Sequence, residues 1–180
     1  NTKLQKCNSQ KQRYWTLMFS PNELNQVMRL LYPLQRVVKW HPAHFDMIDL
    51  NSFDQRNMAL YGSRMRQFEQ LIDKGLAFTA MEGDTIYAMF GIWQLWDGVY
   101  EAWLIPSKHI SRRTIRFHRG SKLFFEHAAN KLRIKRLQIM VCTENVLAVR
   151  WAKVCYFTIE GTAKHWGPQG DDYYMMARIF

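Results

Sequence analysis

A chain of 180 residues, 48% apolar and 14% aromatic, holds enough hydrophobic side chain for one packed domain and is not a disordered polymer. Lysine and arginine number 25 against 15 acidic residues, and the resulting charge of +10 suits a polyanionic ligand or partner. No apolar run approaches the roughly 20 residues that span a bilayer, and Cys7, Cys142 and Cys155 lack C-x-x-C spacing, which argues against a disulfide framework and a zinc site.

The whole of 1–180 is expected to be one domain, with 1–13 as a flexible N-terminal arm. That arm (NTKLQKCNSQKQR) is polar and basic and lacks the apolar centre of a secretion signal. YWTLMF (14–19) alternates and reads as a first strand. Ser20-Pro21-Asn22-Glu23 is a capping box with proline at the first helical position. Leu24, Val27, Met28, Leu30, Leu31 and Leu34 supply the helix's apolar stripe up to the interruption at Pro33. A second helix is expected from Asn51 or Ser52, with Phe53, Met58, Leu60, Tyr61, Met65, Phe68, Leu71 and Ile72 inward and Gly75 as its stop.

The period then changes from helical to alternating. LAFTAM (76–81), TIYAMFGIW (85–93) and VYEAWLIP (99–106) form an antiparallel meander through the turns Glu82-Gly83-Asp84 and Trp96-Asp97-Gly98. From Ala102 to Phe125 there is no carboxylate, while Lys108, Arg112, Arg113, Arg116, Arg119 and Lys122 are basic. In an arbitrary protein such a stretch is as often a solvated face as a binding surface. A helix follows from about Gly120 to Leu132. LQIMV (137–141), a helix opened by Asn145, the strand TIEGTAKHW, the turn GPQGD and DYYMMARIF complete the order β-α-α-β-β-β-α-β-α-β-β. The aromatics fall mostly at core positions, not in a basic-aromatic interleave for stacking bases.

The C-terminal pattern N-x-x-A-x-R-W-(x)5-F-x-x-E-G, from Asn145 to Gly161, resembles the end of the GNAT (Gcn5-related N-acetyltransferase) superfamily, and the element order resembles it across nearly the whole chain. The resemblance implies an α/β (α+β) domain: a mixed, mostly antiparallel sheet of about seven strands with helices on both faces. It implies transfer of an acetyl group from acetyl-CoA to an amine. In such proteins the fourth strand parts from the fifth, so Trp103, Leu104 and Ile105 would lend backbone to the pantetheine arm, with Pro106 ending the strand. On the residues alone this is an ordinary core strand. The glycine-rich phosphate turn survives only as Arg119-Gly120-Ser121-Lys122, and the forks of Arg112, Arg113 and Arg119 would compensate for its missing small residues.

Glu101 occupies the strand position where the family often has its general base, flanked by Tyr100, Ala102 and Trp103. Its alternative is an edge glutamate paired with an arginine. Asn145 matches the asparagine that contacts the cofactor, and is equally explained as a helix cap. The family's proton-donating tyrosine is replaced by Ala152, and Tyr156 stands in place of a glycine. The acceptor site would lie in Val37 to Asp54 and Trp166 to Asp172, where Trp40, His41, His44, Trp166 and Asp171 favour no one amine. Cys142 reads as core and His41 with His44 as loop structure, so no metal is expected.

EAWLIPS, the long basic linker, V-x-x-x-N-x-x-A-x-R-W and G-x-D-Y-Y also resemble small GNAT-like proteins of tailed bacteriophages. That implies other virion proteins as partners, and a location in the host cytoplasm or the virion. Three readings stand together: an acetyltransferase, a virion or assembly protein that keeps the fold without the chemistry, and a nucleic-acid-directed protein whose binding is nonspecific charge attraction.

Overall fold

The computed structural model describes residues 19–29, 36–61, 72 and 75–180. Its elements are α1 (Pro21–Arg29), β1 (Arg36–Lys39), α2 (His44–Met47), α3 (Ser52–Tyr61), β2 (Gly75–Glu82), β3 (Thr85–Trp96) and β4 (Val99–Pro106). A 3-10 helix (Lys108–Arg113) leads into α4 (Thr114–Leu132), followed by β5 (Arg136–Cys142), α5 (Val146–Val154), β6 (Thr158–Ala163) and β7 (Tyr173–Ile179). The strands form one seven-stranded sheet in the order β1-β2-β3-β4-β5-β7-β6. Only β4 and β5 pair in parallel.

Among the described residues the first strand is RVVK at 36–39, and the elements from it onward follow the expected order. The YWTLMF segment lies outside the described residues except for Phe19, a core residue. An edge strand of four residues is too short to announce itself by alternation. It is pinned instead by a side chain from α1: Asn25 Oδ1 accepts from the Val37 N–H at 2.6 Å, and Asn25 Nδ2 donates to the Val37 carbonyl at 2.8 Å. The amide side chain thus supplies the hydrogen bonds of a missing neighbouring strand. The capping box at α1 forms as expected, with the Glu23 N–H donating to Ser20 Oγ.

Two further expectations are corrected. Gly75 opens β2 rather than closing a helix, because a Cβ there would press on the β3 backbone, 2.6 Å from Trp93 Cα. The basic segment after β4 is helical well before Gly120. Buried Ser107 accepts from the His109 N–H at 3.0 Å, and this cap starts a 3-10 turn that runs directly into α4 at Thr114.

The sheet buries a different core on each face. On one, Phe124 of α4 meets Phe19, Phe78 and Phe90 with ring centroids 6.0, 6.2 and 5.0 Å away, and Leu24, Leu137, Ala152 and Phe157 join the same cluster. Burying each such large side chain is worth about 1.5–3 kcal/mol. On the other face Ile48, Met81, Ile86 and Met89 pack with Trp40, Phe45, Trp103 and Ile105 under α2 and the chain that follows it. α5 ends in a Schellman turn: the Phe157 N–H donates to Ala152 O and the Tyr156 N–H to Lys153 O, both at 3.0 Å. Tyr156 therefore sits at φ 69, where this turn ordinarily takes glycine.

Candidate active site

β4 and β5 pair at Val99↔Arg136, Tyr100↔Leu137 and Glu101↔Gln138, and no further. β4 nevertheless stays bonded to β3 as far as Ala88↔Pro106, and β5 to β7 as far as Cys142↔Tyr173. The sheet is thus two half-sheets joined at one end and parted at the other. Pro106 has no N–H to offer, and the Ser107 N–H donates to Tyr87 O, which holds the end of β4 against β3. Over the seam, Trp151 of α5 stacks on Phe117 of α4 at 5.9 Å and donates its indole N–H to Ser121 Oγ at 3.1 Å.

Trp103, Leu104 and Ile105 all lie beyond the last shared rung. Trp103 and Ile105 turn their side chains to the α2 face, where Trp103 stacks on Trp93 with centroids 6.3 Å apart. Leu104 turns to the α4 face and lines an apolar cavity of about 90 Å³ with Phe117, Gly120, Phe124 and Trp151. Every second residue of a strand directs its N–H and C=O to one side, so the freed stretches of β4 and β5 present backbone groups to the gap.

Glu101 stands on the last rung. Its Oε2 accepts from Gln138 Nε2 at 2.9 Å, and no arginine pairs with it among the described residues. Gln138, a polar residue inside the apolar run LQIMV, is a site residue that sequence reasoning passed over. Alternation along β5 admits a polar residue at that position, so no local signal marked it.

The basic segment follows the end of β4. The first turn of α4 and the 3-10 turn before it border a groove of about 810 Å³, lined by Thr85, Tyr87, His109, Ser111, Thr114, Ile115 and Arg116. Gly120 and Ser121 belong inside α4, so their N–H groups serve the helix. Ser121 Oγ donates to Phe117 O at 2.9 Å. Arg119 is exposed, while the side chains of Arg112 and Arg113 lie outside the described residues. Lys108 is occupied by Asp49 at 2.6 Å, and that pairing, with His109 beside it, holds the Asp49 carboxyl below its ordinary range. Burial, then Lys122, lowers the pKa of His118.

Asn145 caps α5, its Oδ1 accepting from the Ala148 N–H at 3.1 Å. Ala152 is fully buried and brings no hydroxyl. Tyr156 is exposed, with Lys122 Nζ 4.5 Å and Arg178 Cζ 5.0 Å from its ring centroid. Cys142 and Cys155 are buried, and burial pushes the Cys155 thiol up to about 12.

The segment expected to receive the acceptor holds more regular structure than a loop, since β1, α2 and the start of α3 fall within it. His44 Nδ1 lies 2.7 Å from Thr79 Oγ1, and burial, then His41, lowers its pKa. Asn51 and Asp54 cap α3 reciprocally: the Asp54 N–H donates to Asn51 Oδ1, and Asn51 Nδ2 donates to Asp54 Oδ2. Burial raises the pKa of Asp54, partly offset by that bond. Trp166 is exposed in the β6–β7 connection, where Asp172 holds Lys164 and the His165 N–H. Among the described residues no group of three or more His, Cys, Asp or Glu is placed to hold a metal ion, and no helix is long and apolar enough to cross a membrane.

A seven-stranded sheet of this order, opened between β4 and β5, is the fold of the GNAT acetyltransferases. The acetyltransferase (GNAT family) of Bacillus anthracis matches with a TM-score of 0.62 at 14% identity, over 81% of this chain and 95% of that one. A GNAT family acetyltransferase of Elizabethkingia anophelis, solved with acetyl-CoA bound, matches at 0.60 and 11% identity over 82% and 99% of the two chains. An acetyltransferase of Bacillus subtilis, in complex with CoA, matches at 0.60 and 10% over 81% and 97%. At such identities the likeness is one of fold. No protein-family model and no curated protein sequence matches the chain.

Proposed function

We propose that this protein is an acyl-CoA-dependent N-acetyltransferase that moves an acetyl group from acetyl-CoA to an amine. One observation carries the reading: the two central strands part after Glu101↔Gln138 while each remains bonded on its outer side. Backbone N–H and C=O groups left unpaired inside a protein cost about 1–3 kcal/mol each. The seam therefore suits an extended, amide-bearing occupant that adds to the sheet as a strand would, and the pantetheine arm has that chemistry. A virion protein that kept the fold without the chemistry would keep the seam as well, so acetyl-CoA binding is what separates the two readings.

Within Trp103, Leu104 and Ile105, the residues that direct their N–H and C=O away from β3 would offer their backbone to the arm. The start of α4, together with Arg112, Arg113 and Arg119, would meet the phosphates in place of Gly120 and Ser121, whose N–H groups lie inside the helix. Asn145, at the start of α5 across the seam, would complete the cradle. The thioester supplies an activated acyl carbon: the amine nitrogen forms the C–N bond, the C–S bond breaks, and the thiolate leaves with its electron pair. Glu101 takes the amine proton at Oε1, which no hydrogen bond occupies among the described residues, and passes it to water. With alanine at 152 no tyrosine protonates the leaving group, and a thiolate is stable enough to leave without one.

Titration with acetyl-CoA tests the proposal. At a hundredfold excess over Kd, binding should raise Tm by about 5–10 °C. Glu101→Gln should keep that shift and lose at least about 100-fold in turnover. No shift at millimolar acetyl-CoA rejects the proposal.

A further inference from the structure

We infer that Gln138 is the positioning residue for Glu101 and the clasp at the apex of the seam. The inference rests on the transferase reading and deepens it. The two residues are direct partners in the parallel register and occupy the final rung before β4 and β5 separate. Their side chains join across the row that their backbones share, Gln138 Nε2 donating to Glu101 Oε2 at 2.9 Å. Both flanks of this row leave the pair little freedom. Trp93, buried and stacked on Trp103, is the β3 partner of Glu101, and buried Ala177 is the β7 partner of Gln138.

Three consequences follow from the chemistry of an amide against a carboxylate. The amide N–H₂ donates and cannot take the proton, so Glu101 is the proton acceptor of the pair. A hydrogen bond to one oxygen fixes the carboxylate plane, and Oε1 becomes the oxygen that receives the amine's proton. The bond is made to a charged acceptor, which places it among the stronger side-chain hydrogen bonds. Gln138 sits on the half-buried face of β5, opposite buried Leu137 and Ile139, so its amide is free to reach across to β4.

The experiment is a double-mutant cycle on the full chain, with acetyl-CoA as donor and spermidine or polylysine, whichever is turned over, as acceptor. Gln138→Met keeps the side-chain length and removes the donor. It should lower kcat about 10- to 100-fold, leave KM for acetyl-CoA within about twofold, and shift Tm little. In a Glu101→Gln background the same change should have no further effect on kcat, because the group it positions is gone. Equal losses in both backgrounds, or an unchanged kcat in the single variant, overturn the inference while the transferase reading stands. If Gln138→Met unfolds, Gln138→Glu serves in its place: it keeps a polar link but brings a second carboxylate against Glu101, and full activity there overturns the inference. A wild type that binds acetyl-CoA and acetylates neither amine also overturns it, and one that fails to bind acetyl-CoA rejects the transferase reading itself.

Discussion

The ring of Trp103 lies against the backbone of Gly91, so closely that a Cβ on Gly91 would stand 2.8 Å from Trp103 Cε2. The pair sits in one register of β3 and β4, on the first stretch of β4 that β5 no longer supports. The freed edge is thus held down by an indole filling the space that glycine leaves, with Trp93 stacked behind it. Gly91→Ala should destabilise the fold by about 2–3 kcal/mol, since the new methyl also meets the Leu76 carbonyl and neither neighbour can retreat. Denaturant unfolding would show a lower midpoint with an unchanged slope, and acetyl-CoA binding should weaken with it.

Ile115 is 70% exposed in the first turn of α4, beside the groove assigned to the phosphates. Ile115→Glu should leave stability within about 0.5 kcal/mol, as a surface change does. Its carboxylate would occupy the helix's anion site and repel the phosphates, so affinity for free CoA should fall at least about tenfold by calorimetry. Undiminished affinity would move the phosphate site away from this helix end.

Tyr156 closes the α5 turn at φ 69. A residue with a Cβ costs about 1–2 kcal/mol in that conformation, whereas glycine adopts it freely. Truncation to alanine and to glycine removes the same ring contacts to Lys122 and Arg178, so only the backbone cost separates the two variants. Tyr156→Gly should therefore be more stable than Tyr156→Ala by about 1 kcal/mol in thermal or urea unfolding, the reverse of their order inside a helix.

His44 has its pKa lowered by burial and by His41, and His118 has its own lowered by burial and Lys122. The unfolded chain then binds protons that the folded chain refuses, so stability is full above the ordinary histidine value of 6.5 and declines as pH falls below it. Glu23 works in a lower window: its bond to Lys131 holds its pKa down, and that contribution is lost only as pH falls below the ordinary 4.5. Unfolding midpoints should drop between about pH 7 and pH 5, and His44→Gln should flatten part of that slope. A slope unchanged in the variant would assign the loss to other groups.

The strands of the meander and the C-terminal block were legible because each couples alternating or apolar runs to turn residues with a conformational reason to be there, Asp97-Gly98 and Gly83-Asp84 among them. Asn145 and Ser20 were legible as caps for the same local reason. Gly120 misled because a glycine beside arginine and serine has the composition of a phosphate turn, while the cap that starts the helix, Ser107, lies further back and acts through a 3-10 turn. RVVK was illegible as a strand because its pairing depends on β2 and on an amide from α1, neither of which a four-residue window contains.

Periodicity, caps and turn chemistry are short-range, so the sequence by itself determined the element order, the apolar faces and the position of Glu101 on its strand. Only the tertiary structure decided where β4 and β5 stop pairing, that Gln138 meets Glu101 there, and that Gly120 lies within α4 rather than at its start. Those outcomes depend on hydrogen bonds between residues far apart in the chain. Each strand's choice between its neighbours is made by packing across the sheet, which no local pattern encodes.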